Sequence, residues 1–265
     1  TESHRMLTTT SGTYKYVQPD VTDLEYSVAA SNGGFGSVTS TGFTLVADDG
    51  YSFNKNNKDM VAWSFRKQKG FFDIQTASLD SNGFAQFNHD LGSAPGMVLV
   101  KPQNFSDDWY VYHKSTGTGK YLILNTTAAA ATFNAWGNVS ATTFDANIGF
   151  GSPSGKTVVA YFFADGDDSN AQIFGDDGDE AIIKTGSFSH TSGTPTFVNC
   201  GFEAAWVIAK RYDSTDSWWM ADDMRGFTPN GISSYTPYLA ADLSAAEGTS
   251  DWIGPNAQGF DFNYL

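Results

Sequence analysis

Met97 to Tyr112, MVLVKPQNFSDDWYVY, has a near duplicate later in the chain at Trp206 to Ala221, WVIAKRYDSTDSWWMA. In both stretches a short run of strand character ends in lysine, Lys101 or Lys210. Seven turn-type residues follow, and a second run opens on Trp109 or Trp218. Neither run has helical spacing, and both are rich in residues that favour extended backbone. Each stretch therefore predicts a β-hairpin with a long polar, acidic tip, and the constant offset between the two predicts a repeated unit.

A second duplication lies outside the first. Met60 to Phe65, MVAWSF, is echoed by Val158 to Phe163, VVAYFF, and each predicts a strand. A glycine-aromatic step recurs at Gly42 and Phe43, at Gly149 and Phe150, and at Gly259 and Phe260. Between hairpin and step lie two alanine-rich patches, Tyr121 to Ala131 and Tyr238 to Glu247. Asn125 and Asp242 precede the alanines as capping residues would, so short helices are expected there. These landmarks divide the chain into 1–66, a partial first repeat; 67–165, a complete second repeat; and 166–265, a third lacking its closing strand. On this division the chain reads as a piece of a longer protein whose neighbouring repeats complete both ends, with strand exchange between subunits as the alternative. The edge beside Gly259 to Leu265 is expected to be uncovered.

The composition agrees with an all-β reading. In 265 residues with 40% apolar content, Thr, Ser, Gly, Asn and Asp abound where helix formers are scarce. Short strands punctuated by turns predict tandem β-sandwiches joined by short helical crossings. Fifteen basic residues stand against 29 acidic ones, a formal charge of −14. That balance repels phosphate backbones and anionic lipid, so neither nucleic acid nor membrane insertion is expected. The longest apolar run, Val158 to Ala164, is far below the ~20 residues of a membrane helix, and TESHRML does not read as a signal peptide. The lone Cys200 forms no internal disulfide and, in its apolar context, reads as an inert thiol.

Motifs with chemical overtones resolve into ordinary structure. STGTGKY (Ser115 to Tyr121) and GSPSGKT (Gly151 to Thr157) evoke a phosphate loop, but the position the Walker pattern reserves for glycine holds Lys114 or Phe150. Hairpin turns are the reading. The acidic runs at Asp165, Asp167 and Asp168, and at Asp176, Asp177, Asp179 and Glu180, lack EF-hand spacing and read as solvated loops rather than a calcium site. Asp222 and Asp223 beside Trp218 and Trp219 could suggest a glycosidase pair. Adjacent strand residues point to opposite faces, which speaks against joint catalysis. His4, His89, His113 and His190 show neither metal-ligand spacing nor a nucleophile partner. No catalytic residue, metal or cofactor is expected.

The 21 Phe, 12 Tyr and 7 Trp exceed what solubility favours. Strand alternation in WYVY sends Trp109 one way and Tyr110 and Tyr112 the other, so one set must leave the local core. Trp109, Tyr110, Tyr112, Trp218 and Trp219 are the candidate ligand or interface residues, suited to packing in a homo-oligomer, a trimer first, or to stacking on a sugar ring.

The order His89, Leu91-Gly92, Pro95, an apolar strand ending in Lys101, then Asp and Trp109, an alanine patch, Gly-Phe and a closing VAW or VAY strand resembles a repeat in virion proteins of tailed, largely marine bacteriophages. The third copy departs from it, lacking the His and the Pro (Ala204 stands for Pro95). The resemblance covers most of the chain. It implies concanavalin-like or jelly-roll-like sandwiches and a non-enzymatic structural role in the virion, as a tail fibre or appendage component contributing to host attachment. Its partners would be other virion proteins and a host surface glycan. A carbohydrate- or receptor-binding module, a capsid decoration protein and a polysaccharide depolymerase are the alternatives.

Overall fold

The computed structural model describes residues 3–11, 15–27, 35–45, 57–147, 155–191, 193–227 and 236–263. Among them the chain forms strands β1 (Lys15–Tyr16), β2 (Tyr26–Ser27), β3 (Phe35–Val38), β4 (Phe43–Leu45), β5 (Phe72–Ser78), β6 (Phe84–Asn88), β7 (Pro95–Pro102), β8 (Tyr110–His113), β9 (Lys120–Ile123) and β10 (Ala131–Thr132). They continue as β11 (Trp136–Val139), β12 (Thr143–Asn147), β13 (Thr157–Ala164), β14 (Thr196–Asn199), β15 (Trp206–Lys210), β16 (Trp218–Asp222), β17 (Thr236–Ala240), β18 (Gly248–Ser250), β19 (Ile253–Asn256) and β20 (Gly259–Phe262). The fold is all-β, and the described residues contain no helix.

The duplicated stretches are both hairpins. β7 pairs antiparallel with β8, placing Leu99 opposite Val111, and β15 pairs with β16, placing Ile208 opposite Met220. The first hairpin sits inside a six-stranded sheet ordered β10-β9-β8-β7-β13-β5, the second inside a four-stranded sheet ordered β15-β16-β17-β18. Separate three-stranded sheets, β11-β12-β6 and β14-β20-β19, accompany them, and β1-β2 and β3-β4 are two-stranded.

The unbroken apolar run of β13 follows from its position. It hydrogen-bonds to β5 on one side and β7 on the other, and both of its faces meet cores. Val158, Ala160 and Phe162 pack with Phe87, Val98, Val100 and Phe144 in one cluster. Val159, Tyr161 and Phe163 pack with Ile74, Leu99, Trp109 and Val111 in another. A strand covered on both faces needs no polar alternation, and each large buried side chain contributes roughly 1.5–3 kcal/mol. A third cluster, with Val207, Ala221, Trp252, Ile253 and Phe260, joins the four-stranded sheet to β14-β20-β19.

Several local expectations are corrected. The alanine patches are not helical: Ala131 begins β10, and the residues from Asp242 to Glu247 form the link between β17 and β18. Met60 to Phe65 belongs to no strand, although Trp63 packs against the second cluster. Gly259 to Phe262 is no open edge, because β20 pairs with β14 on one side and β19 on the other. That central position also explains its glycine, where a Cβ would lie 1.9 Å from the Val198 carbonyl oxygen. Gly42 has nothing within 4 Å, so the shared step has no shared steric cause. Gly149, Phe150 and most of GSPSGKT lie outside the described residues.

Candidate functional site

The residues common to the two hairpins make the same bonds. Lys101, fully buried, donates through Nζ to the Thr22 carbonyl at 2.9 Å and the Asp107 carbonyl at 2.6 Å. Lys210 donates to the Thr127 carbonyl at 3.0 Å and the Asp216 carbonyl at 2.7 Å. Each lysine thus ties its own tip to an earlier segment of chain. Burial pushes the Lys101 ammonium down to about 8, opposed by the charges of Asp107, Asp108 and Asp23. Burial also lowers Lys210. Oxygen acceptors around a desolvated ammonium are what keep it tolerable there.

Tryptophan completes each joint. Trp109 Nε1 donates to the Gln18 carbonyl and Trp218 Nε1 to the Ile123 carbonyl, both at 2.9 Å. Their backbone amides donate to Asn125 Oδ1 at 2.8 Å and Asp242 Oδ1 at 2.9 Å. The two residues expected to cap helices therefore satisfy the leading amides of β-strand runs instead. The backbone amide of Asp107 donates to the Thr22 carbonyl, and that of Asp216 to the Thr127 carbonyl, each at 2.9 Å.

Three of the five candidate aromatics are buried in the chain. Trp109 is 0% exposed, Trp218 4% and Tyr112 6%. Trp109 and Trp218 enter the second cluster, whereas Tyr112 faces Trp136 and Phe144 in the first. Tyr110 and Trp219 are half-buried. The Tyr110 hydroxyl donates to Asp107 Oδ1, and Trp219 Nε1 donates to Asp216 Oδ1. Burial and the neighbouring Asp107 raise the Tyr110 phenol. The indoles of Trp109 and Trp218 offer no free face to a sugar or a second copy. The buried indoles of Trp109 and Trp218 join segments of one chain, while Tyr110 and Trp219 keep part of their surface exposed. Gln18 to Glu25, the segment that receives the first hairpin, is a partner that sequence reasoning missed. Its sequence shares little with Ile123 to Ala130, so only its spacing could have revealed it.

Other chemical candidates fall apart spatially. Asp222 is buried and holds Arg225, whereas Asp223 is exposed. Lys114 pairs with Asp165 and Asp167, and Lys184 with Asp167. Among the described residues no three His, Cys, Asp or Glu side chains are grouped to hold a metal ion. His89 is buried against Phe162. Ser115 to Tyr121 forms a turn leading into β9. A shallow groove of about 370 Å³ is lined by Lys15, Glu25, Ser27, Gln103, Asn104 and Thr157, with Lys15 and Glu25 paired at 3.1 Å.

His113 gives a pH test of these surroundings. Burial, helped by Lys114 and opposed by Asp165, lowers its imidazole to about 4. A histidine whose folded pKa lies below its unfolded value of ~6.5 binds more protons when unfolded, so stability rises with pH in that interval. Its contribution is complete above pH 6.5 and declines as pH falls toward 4. His89 is lowered by burial and acts in the same direction. Melting temperature should therefore drop below pH 6.5, and His113→Gln should reduce the slope. An unchanged slope in His113→Gln would contradict this assignment.

A family model described as a domain of unknown function, DUF7483, matches residues 1–263 as one unit. No curated protein and no solved structure matches the chain.

Proposed function

We propose, for a chain that belongs to the DUF7483 family, a non-enzymatic structural role in a bacteriophage virion, as a tail fibre or appendage component contributing to host attachment. The observation that supports a structural role is the use of the duplicated Lys, Asp and Trp residues. Lys101, Asp107 and Trp109, like Lys210, Asp216 and Trp218, bind backbone of the same chain. Side chains duplicated in order to join segments serve architecture, since a catalytic group would have to face a substrate. The duplicated hairpins also support reading the chain as tandem units of sandwich type. The phage assignment rests on the resemblance of the sequence order. Partners in this reading are other virion proteins and further copies of the chain, with a trimer as the first expectation. Phe133, Phe197 and Met224 are among the apolar side chains left exposed for such contacts. Mass spectrometry of gradient-purified phage particles from the source should find the chain at a stoichiometry above trace. Its absence from washed particles would overturn the reading.

A carbohydrate-binding module is the second reading, favoured by the groove of Lys15, Glu25, Gln103 and Asn104, whose donors and acceptors suit sugar hydroxyls. Binding on a glycan array, lost in Gln103→Ala, would move the proposal to that reading.

A further inference from the structure

The tryptophan joints have a third counterpart that contains no tryptophan. Gln18 and Ile123 each offer a carbonyl to an indole, and the carbonyl of Ala240 accepts a hydrogen bond from His4 Nε2 at 3.1 Å. The surrounding strand pairs agree residue by residue. Val111 pairs with Leu122, Met220 with Leu239, and Met6 with Val17. Trp109, Trp218 and His4 each stand two residues before the first member of these pairs. Ile123, Ala240 and Gln18 each stand one residue after the second. The interval from His4 to Trp109 equals that from Gln18 to Ile123. One residue before Val17, Leu122 and Leu239 stands a tyrosine in each case, and Tyr16, Tyr121 and Tyr238 pair with Tyr26, Ala131 and Gly248. The side chains of all three pairs enter the same second cluster.

We propose that three equivalent strand sets surround this one core in an approximate threefold ring, and that His4 is the latch that closes it. The second set donates to the first through Trp109, the third to the second through Trp218, and the first to the third through His4. The chain's own leading segment thus occupies the place on the third set that a hairpin tryptophan occupies on the other two. An imidazole has a smaller apolar surface than an indole and, unlike an indole, can be protonated, which makes this joint the weakest of the three and the one whose ring donor titrates.

The charged groups around His4 are Asp20 and Asp242, which favour its cation, and Arg225, which opposes it. Arg225 is itself paired with Asp222 and Glu247. Burial outweighs these and lowers the imidazole below 6.5. Nε2 can donate in either charge state, so protonation does not remove the bond itself. It places an extra positive charge in a desolvated joint. The latch is complete above pH 6.5 and loosens as pH falls from there toward the lowered value of the folded state.

Amide hydrogen exchange on the full chain tests this locally, apart from other histidines. Met6 and Val17 exchange reciprocal backbone hydrogen bonds of 2.9 and 3.0 Å, so their amides report the latch. In His4→Ala at pH 7.5 both should exchange at least tenfold faster, while amides of β13 keep their protection. In the wild type the same two amides should lose protection between pH 7 and 5. His4→Trp should keep protection across that range, and His4→Gln, which retains an N–H donor without titrating, should do the same if the larger side chain prevents folding. Unaltered exchange in His4→Ala, or a pH response that survives in both His4→Trp and His4→Gln, would overturn the proposal.

Discussion

Replacing Trp218 by alanine should lower the unfolding free energy by about 3–5 kcal/mol, the range for deleting a large aromatic side chain from a packed core. The indole is 4% exposed and packs in the second cluster, so its removal leaves a cavity as well as lost transfer energy. It also removes the donor to the Ile123 carbonyl. Trp218→Phe separates the two effects. It keeps most of the apolar volume and loses the N–H, and should cost about 1–3 kcal/mol, the range for leaving a buried acceptor unsatisfied. Trp109→Ala should behave like Trp218→Ala, because it is fully buried and holds Gln18 in the same way. Urea unfolding at fixed m-value checks each figure. A loss below 1 kcal/mol for Trp218→Ala would show that the joint does not hold the third strand set to the second.

Asp222→Ala should be as damaging, by about 3–5 kcal/mol, for an electrostatic reason. Asp222 is 1% exposed. It accepts from Arg225 Nε at 2.7 Å, from the Arg225 amide at 3.0 Å and from Trp63 Nε1 at 3.2 Å. Arg225 also lies over the Trp63 ring, its guanidinium carbon 5.6 Å from the centroid. Removing the carboxylate strands a largely buried guanidinium, and breaking one side of a buried pair costs far more than the pair itself contributes. Glu247 remains as a partner at 3.2 Å but is more exposed, so it compensates only in part. Asp222→Asn should recover some of the loss, since an amide oxygen can still accept from the Arg225 backbone. Equal stability of Asp222→Ala and wild type would refute the assignment of this ion pair to the core.

Much of the fold was legible because it depended on neighbours in sequence. Alternation and composition identify β7, β8, β15 and β16 as strands, and the apolar run from Val158 as another. The duplicated Lys, Asp and Trp also announce that one local design occurs twice. The expected helices at the alanine patches failed for a definable reason. Asn125 and Asp242 do accept orphan amides, as caps do, but the amides belong to Trp109 and Trp218. A side-chain oxygen is chemically indifferent to whether its donor starts a helix or a strand.

The aromatic candidates show the same division. Strand alternation alone determines that Trp109 and Tyr110 face opposite ways, and that one of those faces lies outside the local core. It does not determine what covers that face. Packing decided it: the first cluster takes Tyr112, and the second, built from residues between Met6 and Ala241, takes Trp109 and Trp218. The sequence by itself determined the two hairpins, the strand from Val158 and the duplicated side chains, since each depends on residues a few positions apart. Only the tertiary structure decided that Gln18, Ile123 and Ala240 are the carbonyls those joints hold, because a carbonyl acceptor is present at every position and leaves no mark on the sequence.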